Sequence, residues 1–529
     1  MPTFTEKNTE IIVAGPGVGK TTCLLDRIEE ALGQGVNPDE IAFFSFSTTA
    51  VNEGIERITT RMKYNKNQFK YFRTLHSMAF NVLGLNTKQV VTGSLMYQFA
   101  KENDLKLNVR DWRTGIVRYQ TSDSILLSQL DSARLLGMSV REYFTKNHID
   151  SVPISRAEEL AAAYQKFKVS KGVVDFTDMI LFANKTDFES PHFKYMFIDE
   201  AQDLSTQQWR FVEKMSKNAD NIIIVGDERQ AIAGFSGADV DYFLNIEGKI
   251  TELNRSYRVP PAIYKVARKV ERHMKKVRGT MWYPRKKEFG ETGGGEVIRV
   301  SELPIREMAT GSWLLMTRTN AQLTELKDYM MQYCNTMPAF FTVDGLPPVD
   351  TDVFKAIHIF EAINISDKLT KYDFIIPDEN DDAEKLKKKA QFTQLLKKFM
   401  SSSRPNTPEA DDTFLHRFKY RSWFDAFDRL PLIDRKYVMS IREMYDKHPD
   451  GFVKAKIRLS TIHSAKGMEA DNVVLYMALT PTVYKEWQDH KEHNDEEVKV
   501  LFVGVTRAKK RLYLLGRANM NYSYMELLE

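Results

Sequence analysis

Cysteine is almost absent from this 529-residue chain, which carries only Cys23 and Cys334. Two cysteines without paired spacing exclude a disulfide framework and a cysteine-ligated metal site. They suit a reducing, intracellular compartment, and a cytoplasmic location is expected. Also missing is any apolar run near the roughly 18 residues that a membrane helix needs, so no membrane partner is expected. Met1–Glu10 is polar and enters an apolar run directly, so no signal peptide is expected. A strong charge of either sign is lacking too: 75 Lys and Arg against 71 Asp and Glu leave a net +4. That balance does not by itself identify a nucleic-acid partner, and local patches must carry that argument. Hydrophobic residues at 43% with 28% charged describe an ordinary globular protein. The length suggests about three or four domains.

Against these absences, two sets of short apolar runs read as strands of parallel sheets. The first is Ile11–Ala14, Ile41–Phe46, Tyr195–Ile198 and Ile222–Val225. The second is Val297–Val300, Trp313–Met316, Ile457–Thr461, Val473–Met477 and Leu512–Leu515. Helical segments between most of them fit right-handed β-α-β crossovers and two doubly wound α/β domains. Each set is interrupted. The expected division is a first domain of residues 1–80 and 177–255 with a helical insertion at 81–176. A second domain of 256–346 and 452–529 carries a reduced insertion at 347–451. That second insertion holds the acidic run Asp378–Glu384, the basic Lys385–Lys389 and Ser401–Asp412, which reads as a flexible loop. Thr292-Gly293-Gly294-Gly295 reads as a turn before a strand.

The most informative stretch is Ala14-Gly15-Pro16-Gly17-Val18-Gly19-Lys20-Thr21, between the run Ile11-Ile12-Val13 and a helical segment, Thr22–Leu32. A strand, a glycine-rich turn and a helix start form a phosphate-binding loop, whose successive backbone N–H groups wrap an anionic chain. Lys20 reaches the β- and γ-phosphates of a nucleoside triphosphate, and the Thr21 hydroxyl suits Mg²⁺. Tyr195–Ile198 ends in Asp199-Glu200, a strand end that suits a metal at Asp199 and an oriented or deprotonated water at Glu200. Acids often cap strand ends, so this pair gains its weight from the phosphate loop. Ile224-Val225-Gly226-Asp227-Glu228-Arg229-Gln230 is a further strand end, where Gln230 could sense the γ-phosphate or simply lie on a surface loop.

Taken in order, the motifs are Ala14–Thr21, Phe46-Ser47-Thr48-Thr49-Ala50, Thr74-Leu75-His76-Ser77, Asp199-Glu200-Ala201-Gln202-Asp203 and Gly226–Asp239. Asn254-Arg255-Ser256-Tyr257-Arg258, Thr461–Glu469 and Val503–Lys509 follow. This ordered set resembles the UvrD/Rep/PcrA family of superfamily 1 DNA helicases, with a second insertion short enough for a compact member. The resemblance implies two RecA-like domains of the P-loop NTPase class, each with a mainly helical insertion, and an ATP site using Mg²⁺. It makes Gly15, Gly17, Gly19, Lys20, Thr21 and Thr22 the phosphate cradle and Arg258 and Arg507 the γ-phosphate arginines. Such an arginine contributes about 10³–10⁵ in rate in phosphoryl transfer. Tyr257 matches the ring that packs on the base, Glu469 with Gly467 the approach to the ribose, and Gln230 the link from nucleotide to DNA. Phe46 and Phe235 match base-stacking positions, with a core aromatic the competing role for each, and Thr74, His76 and His463 match polar positions near the strand's backbone.

The chain departs from the family pattern at three places. No glutamine precedes Gln34, which leaves ATP, GTP and UTP open; Thr49 stands where a basic residue is usual; and Phe235 stands for a tryptophan. Independently, Lys265–Lys287 holds ten Lys and Arg against one acid, Glu271, with Trp282 and Tyr283. That stretch could follow a phosphate backbone or be a solvated helix face.

The expected function is an ATP-dependent single-stranded DNA translocase and helicase acting at single-strand/duplex junctions, as a monomer, with loading proteins unspecified. Movement 3′ to 5′ follows from the resemblance alone. A 5′-to-3′ helicase is opposed by Thr74–Ser77 and Thr461–Glu469. A DNA-stimulated remodeller of protein–DNA complexes and an RNA-acting enzyme remain alternatives. No nuclease is expected after the last motif.

Overall fold

The computed structural model describes residues 4, 8–45, 48–62, 64–107, 121–286, 294–332, 341–344, 348–349, 352–365, 391, 394–396, 398–400, 422–447, 457–489, 491–516 and 522–528. Phe46, Ser47, Thr292, Gly293, the runs 378–389 and 401–412, and the side chain of Thr49 lie outside the described residues. Contacts divide the chain into two compact units. One comprises Met1–Arg299, Ile462–Glu469 and Met477–Glu529; the other comprises Val300–Thr461 and Ala470–Tyr476.

The first unit is built on a six-stranded sheet, β3-β2-β4-β5-β1-β6, formed by β1 (Thr9–Ala14), β2 (Ile41–Ser45), β3 (Phe72–Thr74), β4 (Tyr195–Ile198), β5 (Ile222–Gly226) and β6 (Lys249–Leu253). All five pairings are parallel. Alternate side chains feed two cores. Ile11, Val13, Phe44, Ile198 and Ile224 face one layer. Ile12, Phe43, Phe197, Ile223 and Val225 face the other. Such near-continuous apolar strands are what a sheet covered by helices on both faces requires. β3 and β6 are absent from the strands expected from sequence. β3 is three residues long, and β6, Lys-Ile-Thr-Glu-Leu, is a polar edge strand with Ile250 exposed.

Between β3 and β4 the described residues are mostly helical, including Gly93–Glu102, Ser122–Leu136, Val140–Lys146, Ile154–Lys171 and Phe176–Lys185. The first four share a separate core in which Phe99, Leu130, Phe144, Leu160 and Phe167 are buried, while Phe176–Lys185 packs Met179, Ile180 and Ala183 into the core of the sheet. Stop signals are local: Gly137 and Gly172 end their helices at φ 73° and 63°, a conformation that suits glycine. Beside this core lies a buried ionic network. Lys168 Nζ donates to Asp175 Oδ2 at 2.6 Å and to Asp178 Oδ2 at 2.5 Å. Arg134 donates to Asp131 at 2.7 Å, to Asp175 at 2.9 Å and also to Asp178. Burial pushes Asp175 up, but Arg134 and Lys168 outweigh it and hold it near 2. Asp175 also caps the helix Phe176–Lys185 through a capping box with Asp178.

The second unit contains parallel strands in the order β11-β8-β10-β9, where β8 is Trp313–Thr317, β9 Phe341–Val343, β10 Ile457–Thr461 and β11 Ala470–Tyr476. β9, again three residues, is likewise absent from the expected set. Strands β7 (Glu296–Val300) and β12 (Ala508–Leu515) complete the set of twelve described strands. Within 347–451 the described helices are Asp352–Ile365, Trp423–Ala426 and Leu432–Lys447. Arg442 and Glu361 form a two-pronged ion pair there at 2.7 and 2.8 Å.

Removing Lys168 leaves Asp175 and Asp178 buried with half their compensation. We expect Lys168→Ala to lower stability by about 3–5 kcal/mol, the usual result of breaking a buried pair. A urea melt that keeps the wild-type midpoint would refute this role for the network.

Candidate active site

The phosphate loop leaves β1 at the carboxyl edge of the first sheet, where open α/β sheets hold ligands. Gly17 and Gly19 sit at φ 68° and 82°, and Gly19 is the residue from which the helix Lys20–Gly33 starts. A side chain at Gly17 would collide with Arg258, because an added Cβ lies 2.5 Å from Arg258 Cβ. A Cβ on Gly15 would lie 2.8 Å from that of Trp282. The loop is braced by the segment 254–258. Tyr257 N–H donates to Gly17 O at 2.8 Å, and the Ser256 hydroxyl donates to Pro16 O at 2.7 Å. The Tyr257 ring is 77% exposed beside Gly19, free to cover a flat base.

Lys20 Nζ reaches Glu200 Oε2 at 3.3 Å. Burial works against its charge, yet Glu200, Asp227 and Asp199 outweigh that and raise its pKa. The Thr21 hydroxyl donates to Asp199 Oδ2 at 3.2 Å. Burial, and then the Glu200 charge, push Asp199 upward. Burial pushes Glu200 up as well, but Lys20, Lys466 and the Gln202 amide overcome it, so Glu200 titrates well below the usual range. The two adjacent carboxylates thus differ: Asp199 is buried and disfavoured as an anion, while the partly exposed Glu200 is kept ionised. Glu200 adopts φ 51°, a left-handed conformation unusual for a non-glycine residue, two residues past the end of β4.

The oxygens of Thr21 and Asp199 fit a hard cation. They stand as close as adjacent oxygen ligands, and Asp199 is buried as a disfavoured anion that such an ion would relieve. Among the described residues, no cluster of three His, Cys, Asp or Glu side chains could hold a metal by itself. Mg²⁺, which takes one or two protein ligands and completes its shell with phosphate and water, would suit the Thr21 and Asp199 oxygens. Bound there, the ion would supply charge neutralisation between the β- and γ-phosphates.

Four further residues belong to the centre and escape a reading of the sequence. Gln202 Nε2 donates to Glu200 Oε2 at 2.6 Å, while its Oε1 accepts Asp227 N–H at 2.9 Å. Lys466 Nζ donates to both oxygens of Asp203 at 2.5 Å. Asp227 is fully buried and accepts from Gln230 Nε2. The only sequence signal for these is their membership of the same motifs as Glu200, Gln230 and Glu469.

Gln230 is also met by Arg507, whose Nη2 donates to Gln230 Oε1 at 2.7 Å. Burial, reinforced by Arg258, lowers the Arg507 pKa to about 9. A buried guanidinium of this kind is stabilised by a nearby anion. Arg258 Nε pairs with Glu469 Oε2 at 2.7 Å, and Lys509 also pairs with Glu469. Gly467, two residues earlier, has φ 84° and open space around it.

The candidate nucleic-acid residues fall into two pairs. Phe235 is 56% exposed and meets His463 edge-on, with centroids 5.5 Å apart. His76 meets the exposed Phe176 edge-on at 5.6 Å, so Phe176 joins this set as a residue that the motifs do not mark. Thr74 has a structural role, since its hydroxyl caps the helix Leu75–Val82 by accepting Ser77 N–H at 3.2 Å. The basic stretch from Lys265 is in part internal. Trp282 is buried, its indole N–H donating to Glu271 at 3.1 Å, and Glu271 also accepts from Arg229 and Arg268. Lys269 and Lys276 are likewise engaged, with Leu528 O and Asp241.

With this geometry in hand, two family models match the chain. The UvrD/REP helicase N-terminal domain matches residues 2–251, and the UvrD-like helicase C-terminal domain matches 456–515. The chain belongs to the UvrD-like helicase family. Its relatives extend along nearly the whole sequence. A "Probable DNA helicase II homolog" of Rickettsia felis is 24% identical over 96% of this chain and 90% of its own length. The "ATP-dependent DNA helicase PcrA" of Bacillus subtilis is 22% identical over 97% and 82%. A "Probable DNA helicase II homolog" of Mycoplasma genitalium is 21% identical over 97% and 84%. Among the described residues no helix is long and apolar enough to cross a membrane.

Two predictions test the centre of this helicase. Lys20→Ala should abolish nucleotide hydrolysis, since it removes the cation set among three carboxylates; near-normal turnover would contradict that. Glu200→Gln should keep nucleotide affinity while turnover falls by about 10²–10⁴, the usual contribution of a positioned base. Loss of binding with intact turnover per bound nucleotide would make Glu200 structural. A third concerns His76, which burial pushes down to about 4 against the pull of Asp175. Because its folded pKa is depressed, its contribution to stability is present above about 6.5 and is lost as pH falls towards 4. An NMR titration should find this imidazole neutral at pH 5.5, and a midpoint near 6.5 would contradict its burial.

Proposed function

We propose that this UvrD-type, ATP-dependent DNA helicase translocates along single-stranded DNA in the 3′-to-5′ direction and opens duplex at single-strand junctions, acting as a monomer in a reducing, intracellular compartment. ATP with Mg²⁺ is its fuel. Lys20 and the loop hold the phosphates, Thr21 and Asp199 the ion, Glu200 the attacking water, and Arg258 and Arg507 the transition-state charge. Tyr257 covers the base. Support for the domain division at 1–80, 177–255, 256–346 and 452–529 is that all twelve described strands fall inside those ranges.

The observation that carries the reading is that Gln230, bonded to Arg507, lies five residues before the exposed Phe235. One short segment thus joins a nucleotide sensor to an aromatic that can stack on a base, a contact worth about 1–3 kcal/mol per base and indifferent to sequence. His463, His76 and Phe176 extend the same chemistry. Phe46 is proposed for it on the family resemblance alone. Polarity is proposed on the family resemblance alone, with the Thr74–Ser77 and Thr461–Glu469 motifs opposing the 5′-to-3′ alternative.

Strand displacement on duplexes with either a 3′ or a 5′ single-stranded tail tests this directly. The expected result is ATP-dependent displacement from the 3′-tailed substrate only. A 5′ preference would overturn the polarity. ATPase stimulated by single strands without displacement on either would make the protein a remodeller of protein–DNA complexes.

A further inference from the structure

The helix Lys491–Val505 grips the segment 227–237 at two separate points. Just beyond its C-terminal end, Arg507 holds Gln230. About three turns earlier, the Glu496 carboxylate accepts the Gly234 N–H at 3.0 Å. That contact explains the glycine. A Cβ at Gly234 would lie 2.5 Å from Glu496 Oε2, so any side chain would expel the carboxylate. Phe235 follows immediately, and its carbonyl accepts the Ser132 hydroxyl at 2.7 Å. The backbone on both sides of this peptide is therefore fixed, while the ring stays exposed.

The helix is itself tied down along its length. The Asp495 carboxylate accepts Lys275 N–H at 2.5 Å, and Lys499 Nζ donates to Lys276 O at 3.1 Å. A helix so held moves as one body, because bending it would break its own ladder of hydrogen bonds.

We propose that Glu496 is a positioning residue that locks the Phe235 loop to the helix carrying Arg507, so that a shift of Arg507 on γ-phosphate binding or release is delivered to the DNA-stacking ring. Gln230 provides one link between nucleotide and loop; Glu496 provides a second, at the other end of the same helix. The inference rests on the reading of Phe235 as a DNA contact, and the test separates the two.

ATPase of the full-length protein is measured against oligo(dT) concentration for wild type, Glu496→Ala, Glu496→Gln, Gly234→Ala, Glu496→Ala with Gly234→Ala, and Phe235→Ala, with thermal melts to confirm folding. Glu496→Ala should raise the half-saturating oligo(dT) concentration about tenfold, the scale of losing one stacked base, with basal turnover close to wild type. Glu496→Gln should stay near wild type, since its amide oxygen still accepts the N–H. Gly234→Ala should match Glu496→Ala, and the double variant should be no worse than either, because both remove one contact. If Phe235→Ala impairs the DNA response while Glu496→Ala does not, the positioning role is wrong. If the two losses at 234 and 496 simply add, or basal turnover falls equally with the DNA response, it is also wrong. A normal DNA response in Phe235→Ala would instead remove the stacking assignment on which the role depends, and the role with it.

Discussion

Lys20 stands among three carboxylates, the buried Asp199 and Asp227 and the partly exposed Glu200, at the carboxyl edge of a parallel sheet, and the rest of the first unit is arranged around that charge imbalance. One ammonium does not balance three acids, so each has additional partners, among them Lys466 acting on Glu200 and Arg229 on Asp227. Glu200 takes Gln202, Asp227 takes Gln230, and Asp199 has the Thr21 hydroxyl and a backbone N–H. A triphosphate with a divalent cation would change this balance: the phosphates would compete for Lys20, and the ion would relieve Asp199. A site so arranged would respond to the presence of the γ-phosphate.

That response has defined exits. Gln230 answers to Asp227 on one side and to the buried Arg507 on the other. Beneath it, Arg229 is buried against Glu271, which also receives the Trp282 indole, and Trp282 lies directly under Gly15 of the phosphate loop. The floor of the loop and the segment running to Phe235 therefore share a buried polar base. Buried networks of this kind are costly to leave half-satisfied, which favours discrete arrangements over gradual ones. A motor needs discrete states.

Much of this is legible in sequence where one physical requirement dictates residue type. The strands β1, β2, β4 and β5 announce themselves because a sheet covered on both faces must be apolar throughout. Gly17 and Gly19 are legible because the loop needs positive φ there. What escapes is short or shared. β3 and β9 have three residues each, too few for a pattern, and β6 has the polarity of an edge. Gln202, through Asp227, and Asp203, through Lys466, serve the centre by contacts between residues distant in the chain, which no local spacing encodes. Trp282 reads, with its basic neighbours, as a possible DNA contact, yet it packs under the phosphate loop. Composition of a stretch does not reveal which side of it faces inward.

The central claim is that nucleotide and DNA sites are coupled through Gln230, and binding linkage tests it without requiring turnover. Oligo(dT) affinity should be measured with no nucleotide, with ADP and with a non-hydrolysable ATP analogue, in wild type and in Gln230→Ala. The account predicts that affinity differs among these states by about 5–150-fold in wild type, the usual range of coupling between sites. It predicts a difference that largely collapses in the variant. The same nucleotide dependence in both proteins would contradict it.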